Sequence, residues 1–346
     1  MGQNKPSCVL ITRFSALGDV AMTLPVVYDV CRANPDVQFV MVSRPWLQGL
    51  ALQPPPNLAV ATVNLADYPG VAGLVRLARQ LLHTHHIDAL ADLHSVLRTW
   101  IIGATLRLHG VAVQRIDKGR GEKRDLIAGK IRRPLTHTTE RYRQVFERLG
   151  LHSKPSFTTM FNATLPPCAI AGEKPTGCRW IAIAPFAAHQ GKAYPLQLMQ
   201  QVVDTLAADV SQHIFLMGGG KQEEAAMAPW AQAHHNVTSV AQIPHTFADE
   251  LALLARCDVM VSMDSANMHL ASLVRLPVVS VWGATHPACG FMGYHQSESN
   301  AVQLELDCRP CSVFGNKPCR HGDYHCLTGI TPSMIVDKVN TIINGK

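Results

Sequence analysis

Short apolar runs alternate with longer amphipathic stretches twice along this chain, and that alternation constrains the fold more than any other feature. In the first half the apolar runs are Ser7–Phe14, Val37–Ser43, Leu58–Leu65, Ala89–His94 and Ala112–Asp117. Helical stretches follow them at Gly18–Arg32, Gly70–His83, Ser95–His109, Lys123–Arg132 and Thr138–Leu149. The second half repeats the scheme, with strands at Trp180–Pro185, His213–Gly218, Val237–Val240, Val259–Met263 and Val278–Trp282. Its helices are expected at Pro195–Ala208, Lys221–Ala233, Phe247–Cys257 and Ala266–Val274, with a last amphipathic one at Pro332–Asn344. Such alternation predicts parallel sheets with helices on both faces. The expected fold is α/β: two doubly wound, Rossmann-like domains facing across a cleft. Residues 1–165 form the first and 175–330 the second, with the stretch from His152 to Cys178 as linker. The helix in 331–346 is expected to pack back towards the N-terminal domain. Pro25 falls inside the first helix and should kink it near Ala21.

Composition supports a folded, two-domain chain. At 346 residues it exceeds what one core usually serves. No apolar run approaches the ~18 residues of a membrane span. The start, Met1 to Phe14, has too short an apolar stretch for a signal-peptide core, which points to a cytoplasmic protein. The ten cysteines do not suggest a secreted disulfide scaffold in a chain this long. The net charge of +6 is uneven: residues 1–165 hold 20 Lys and Arg against 11 Asp and Glu, and residues 166–346 hold 11 against 14. The densest basic run, Arg115 to Arg133, lacks interleaved aromatics and matches no nucleic-acid motif. A phosphorylated substrate, an anionic membrane surface or a merely solvated basic helix all fit it.

In doubly wound sheets ligands bind beyond the carboxyl ends of strands, and the residues of interest follow strand ends. After the first strand come Gly18, which permits a tight turn, and Asp19, in the first turn of the next helix. Asp19 suits a general base acting on a hydroxyl, and its competing role is merely to complement its helix dipole. Lys192 precedes Pro195 and a helix, where it would lie across a diphosphate or project into solvent. Gly218, Gly219 and Gly220 allow a nucleotide to approach the backbone, and Glu223 is placed to accept from ribose hydroxyls or to cap its helix. Asp264 and Ser265 stand where a helix begins, their side chains expected to accept from its first amides. Ala266 and His269 lie in its first turns. The remaining free amides and the helix dipole make an anion site there. Cys308, Cys311, Cys319 and Cys326 include one Cys-x-x-Cys pair and form a candidate structural zinc site, with reduced packing cysteines as the competing reading. No Gly-x-Ser-x-Gly elbow, His-Glu-x-x-His helix or kinase signature appears.

Taken in order, Arg13–Pro25, Ala184–Pro195, Gly218–Glu224 and Ser262–Pro287 resemble glycosyltransferase family 9, the ADP-heptose:lipopolysaccharide heptosyltransferases. The most specific pieces are Gly-Asp-Val with Leu-Pro near the start and Asp-Ser-x-x-x-His-Leu-Ala near the end. Trp282–Pro287 looks like the family's closing turn. Ala266 stands where the family usually has Gly, and His286 where it usually has Asp. The resemblance implies a GT-B fold with acceptor and donor in the N- and C-terminal domains, and an inverting reaction that needs no metal. Asp19 would be the base, and Asp264, Ser265, Ala266, His269 and Lys192 would meet the diphosphate. Gly18, Gly218, Gly219 and Glu223 would complete the nucleotide-sugar site. The implied partners are ADP-heptose, a lipid-linked oligosaccharide acceptor and the inner face of the inner membrane, without nucleic acid. A sugar-nucleotide epimerase of similar fold and a non-catalytic binding protein are the alternatives.

Overall fold

The strand β1 (Cys8–Thr12) is apolar nearly throughout and buried at every position, as a strand covered on both faces must be. It is the centre of a parallel sheet in a computed structural model that describes residues 5–161 and 164–345. Met1–Asn4, part of the stretch read from sequence as the chain start, lie outside the described residues, as do Asn162, Ala163 and Lys346. The chain divides into two compact units: Met1–Lys118 with Thr136–Asn162, and Gly119–Leu135 with Ala163–Lys346.

In the first unit β1 is joined by β2 (Gln38–Ser43), β3 (Leu58–Thr62), β4 (Ala89–Asp92) and β5 (Ala112–Arg115), in the order β3-β2-β1-β4-β5. Its helices are α1 (Leu17–Ala33), α2 (Gly70–His85), α3 (Leu97–Arg107) and α5 (Thr138–Glu147). The helix α1 buries thirteen of its residues, Asp29 among them, and runs on through Pro25. The Asp29 carboxylate accepts from the Ser156 and Phe157 amides at 2.7 and 2.5 Å and pairs with Arg143 Nη2 at 2.6 Å. A buried charge persists only when paired and hydrogen-bonded. Asp29 thus ties both α5 and the first part of the expected linker to α1.

The second unit has β6 (Arg179–Ala184), β7 (Gln212–Leu216), β8 (Val237–Ser239), β9 (Val259–Met263), β10 (Val278–Val281) and β11 (Ala301–Val302). Their order, β11-β10-β9-β6-β7-β8, is that of a Rossmann sheet. Between them lie α6 (Leu196–Ala207), α7 (Lys221–Ala233), α8 (Phe247–Leu254) and α9 (Ala266–Leu273), followed by α10 (His325–Thr328) and α11 (Pro332–Asn344). The two-residue β11 escaped sequence reading because so short a strand has no periodicity to detect. Expected to pack back towards the N-terminal domain, α11 instead lays Ile335, Val336, Val339 and Ile343 into the core of the second unit, with Ile183, Val261 and Val281.

The basic run is divided. Lys118 belongs to the first unit, while α4 (Arg120–Ile127) and the residues after it group with the second. There Leu126 and Leu135 pack with Cys289. The charge asymmetry read along the sequence is therefore weaker between the folded units. Expected at Lys123–Arg132, α4 stops at Ile127 because Gly129, at φ +70°, takes the left-handed conformation that closes helices.

Candidate active site

Both sheets reverse their winding direction beside the first strand of the unit, between β1 and β4 and between β6 and β9. Connections leave such a point in opposite directions and open a crevice beyond the strand ends. Of the residues singled out from sequence, Gly18 and Asp19 follow β1, and Lys192, Asp264, Ser265, Ala266 and His269 follow β6 and β9, whereas Gly218, Gly219 and Glu223 follow β7 and the four cysteines lie beyond β11.

In the first unit Arg13 follows β1. Its Nη1 donates to the Leu93 carbonyl at 2.7 Å, and its Nη2 lies 2.5 Å from Asp19 Oδ2. The same Oδ2 accepts from the Ala16 amide at 3.3 Å, so Asp19 does complement the start of α1. Oδ1 has no hydrogen-bond partner among the described residues, and the side chain is 31% exposed. One oxygen holds the helix and the cation; the other is open. Gly18 is buried beside it.

Behind this carboxylate, the buried Asp92 accepts from Thr99 Oγ1 at 2.9 Å and from the His94 and Ser95 amides at 3.1 and 2.8 Å. That locks the turn bearing His94, whose Nδ1 accepts from the Phe14 amide at 3.4 Å. The donating nitrogen is then Nε2, 3.5 Å from Ser15 Oγ. Burial, and then the charges of Arg13 and Lys118, pull the His94 pKa down to about 4. Between the ordinary histidine value of ~6.5 and that figure, the unfolded chain takes up a proton that the folded chain refuses. Stability present above about pH 6.5 should therefore decline as pH falls and be lost through pH 4. His94→Gln should remove on the order of 2 kcal/mol of that decline, read from urea unfolding midpoints at pH 7 and 4.5. An equal decline in both proteins would disprove the assignment.

Sequence reading missed Arg13, His94 and Tyr142 as site residues. Tyr142 is fully buried, and its hydroxyl and Arg13 Nε have no hydrogen-bond partner among the described residues. Burial raises the Tyr142 pKa, with the charges of Arg13 and Asp19 acting on it next. The available signal was an Arg immediately beyond a strand and six residues before an Asp, which is weak without coordinates.

In the second unit the reversal point carries an ion pair. Lys192, in the connection after β6, places Nζ 2.8 Å from Oδ2 of Asp264, which follows β9. Both side chains are largely buried, at 16% and 5% exposure. Lys192 is thus not a solvated loop lysine, and Asp264 is not a helix cap. Two glycines make this fit. A Cβ on Gly191 would come 2.7 Å from the Gly315 carbonyl oxygen, and one on Gly315 (φ +71°) would come 2.6 Å from Lys192 Cγ. The lysine stem crosses backbone with no side chain beneath it.

Ser265 is the N-cap of α9, yet its hydroxyl takes none of the helix amides and instead lies 3.3 Å from Ser262 Oγ. The capping expected of Asp264 and Ser265 is therefore absent, because Asp264 is engaged by Lys192 and Ser265 turns to Ser262. Ala266 opens the helix and His269 is buried in it. A helix start not capped by its Ser and carrying a lysine beside it attracts anions through amides and dipole. Lys123 of α4 adds a second cation: it sits 4.1 Å above the Phe291 ring, and its charge acts with those of Asp264 and Lys192 on the buried Cys289.

Beyond β7, Gly218 packs so that a Cβ would come 2.8 Å from Met227 Cε, whereas Gly219 has open space. The Gly219 amide donates to Glu223 Oε2 at 2.8 Å, so that carboxylate closes the turn into α7. In the closing turn, His286 caps the short turn Pro287–Cys289, its Nδ1 accepting from the Ala288 amide at 3.0 Å. Arg309 pins this turn through the carbonyls of Gly283 (2.5 Å) and Thr285 (2.9 Å).

The four C-terminal cysteines line a single cavity of about 390 Å³ with His321 and His325. Backbone hydrogen bonds from His321 and Tyr324 lower the Cys319 pKa. No group of three or more His, Cys, Asp or Glu side chains among the described residues is arranged to hold a metal ion. The four cysteines of the expected metal set share this one cavity.

A profile of glycosyltransferase family 9 (heptosyltransferase) matches residues 123–324, more than half of the chain. The chain belongs to this family. Lipopolysaccharide heptosyltransferase 1 of Pseudomonas aeruginosa is 25% identical over 328 residues, covering 88% of this chain and 85% of that protein. Among solved structures, a family 9 glycosyltransferase from Veillonella parvula superposes with a TM-score of 0.73 at 18% identity, covering 100% and 99% of the two chains. The E. coli heptosyltransferase WaaC with ADP gives 0.61 at 21% identity, over 85% and 92%. This family 9 member is accordingly an enzyme, a heptosyltransferase-like glycosyltransferase, with the two parallel-sheet α/β units of the GT-B fold.

Proposed function

We propose that this family 9 enzyme transfers heptose from ADP-heptose to a hydroxyl of the lipopolysaccharide inner core, with inversion at the anomeric carbon. The first unit binds the acceptor and the second the nucleotide sugar. The observation that carries the reading is the half-engaged carboxylate of Asp19. Arg13 holds Oδ2, and Oδ1 remains available to accept the proton of an incoming hydroxyl.

The acceptor oxygen bonds to the anomeric carbon as the bond from that carbon to the diphosphate oxygen breaks. A single displacement inverts the configuration. The proton goes to Asp19 and ADP departs with the bonding pair. Lys192, held by Asp264, and the first amides of α9 meet the charge that develops on the diphosphate, with His269 and Ala266 in the same helix. Fixed dipoles and a cation do this without a divalent metal. Gly219 leaves room for the nucleoside beside Glu223.

The test supplies ADP-heptose with and without an inner-core acceptor. Acceptor-dependent ADP release with an inverted product by NMR is expected; an isomerised sugar from donor alone would overturn the reading in favour of an epimerase. Titrating ADP, GDP and UDP fixes the donor base, with ADP expected to bind most tightly.

A structural metal at Cys308, Cys311, Cys319 and Cys326 is proposed alongside, because the four thiols share one cavity and a set of four thiolates suits zinc or iron. It would fasten the loop whose Gly315 abuts Lys192. Elemental analysis should find one zinc or iron per chain. Chelation should lower the thermal midpoint and weaken ADP binding together. Protein purified without stoichiometric metal, yet fully active, would remove the idea.

A further inference from the structure

The packed helices α2 and α3 of the first unit share a compositional oddity that the catalytic reading does not use. Neither residues 68–87 nor residues 93–116 contain a single Asp or Glu. Arg76, Arg79, Arg98 and Arg107 are all exposed there. Arg76 and Arg107 donate only to backbone carbonyls, of Asp67 and Val113, and no ion pair engages Arg79 or Arg98 among the described residues. Four guanidinium groups therefore face outward without a carboxylate.

The same two helices carry exposed apolar bulk. Of seven large hydrophobic side chains exposed among the described residues, four are here: Val71 (62%), Leu97 (73%), Trp100 (48%) and Leu108 (87%). Leu97, Trp100, Ala104 and Leu108 recur at intervals of three and four, which aligns them along one face of α3. The Trp100 indole N–H is satisfied by Ser95 Oγ at 3.2 Å, so its ring is presented without an unmet donor.

We infer that the outer face of α2 and α3 docks on an anionic lipid bilayer. Leu and Trp on one helical stripe flanked by Arg is the composition of a helix lying in a membrane interface. Guanidinium groups lacking protein counter-ions complement lipid phosphate. No helix among the described residues is long and apolar enough to cross a membrane, and this contact needs none. The basic run around α4, the more conspicuous candidate in the sequence, carries Glu122 and Asp125 and pairs Arg133 with Glu122. The inference rests on the lipid-linked acceptor proposed above for its purpose. Its test needs neither donor nor acceptor, so the two can fail separately.

Co-sedimentation of the full chain with vesicles of phosphatidylglycerol and phosphatidylethanolamine, against phosphatidylcholine alone, provides that test. Binding to the anionic vesicles is expected, weakening as salt is raised. Leu97→Glu with Leu108→Glu should cut the partition coefficient roughly tenfold or more without moving the thermal midpoint, since both side chains are exposed. Arg79→Gln with Arg107→Gln should erase the preference for anionic over neutral vesicles. Absence of binding to the anionic vesicles, or wild-type binding by both double variants, would overturn the inference. So would a wild-type dimer in light scattering that the Leu97→Glu/Leu108→Glu chain cannot form, because the face would then belong to a second copy.

Discussion

Asp19→Asn should lower turnover on the order of a thousandfold while leaving the dissociation constant for ADP unchanged. Asparagine keeps the shape and retains a carbonyl oxygen for the Ala16 amide, so the start of α1 survives the change. It removes the negative charge beside Arg13 and the basicity that Oδ1 offers to a hydroxyl. Because Asp19 is 31% exposed, the cost to stability is modest, and a folded variant is expected. Steady-state ADP release with acceptor present, together with calorimetric ADP binding, separates the effects. Turnover above a tenth of wild type would exclude Asp19 as base, and weakened ADP binding would move the residue to the donor side.

Lys192→Ala should have the second largest effect, and on two quantities at once. Deleting the cation leaves Asp264, 5% exposed, as a buried carboxylate without its partner, which costs about 3 to 5 kcal/mol of folding stability. ADP affinity should fall roughly a hundredfold, since a desolvated charge-assisted contact to phosphate is lost. The double change Lys192→Met with Asp264→Asn distinguishes the two. It removes both charges at similar volume, so stability should return towards wild type while ADP binding stays weak. If ADP binding recovered as well, Lys192 would serve only to neutralise Asp264. Urea unfolding and calorimetry on the three proteins decide it.

The main elements were legible in the sequence because apolar periodicity survives in each strand and helix. The carboxyl ends of β1, β6 and β9 could be located, and with them Asp19, Lys192 and Asp264. What those side chains touch was not legible. Lys192 and Asp264 are far apart in sequence, and only the parallel pairing of β6 with β9 brings their connections together. A pattern search reads Ser265 as a cap from its residue type, but the hydroxyl goes to Ser262. Residues 119–135 read as part of the first half by position, and their place in the second unit depends on tertiary packing of Leu126 and Leu135. The cysteines illustrate the opposite case. Spacing suggested a cluster, and folding brings the four to line one cavity.

The bare backbone seam at Gly191 and Gly315 has an evolutionary consequence. Neither residue offers a functional group, yet a side chain on Gly315 would press on the lysine stem and one on Gly191 would press on the Gly315 backbone. Shifting the Lys192 stem therefore requires coordinated change in the cysteine-rich loop, some 120 positions downstream. Tolerance to mutation in this enzyme should be narrow at these two glycines, whose part is to leave room for neighbouring backbone and the lysine stem.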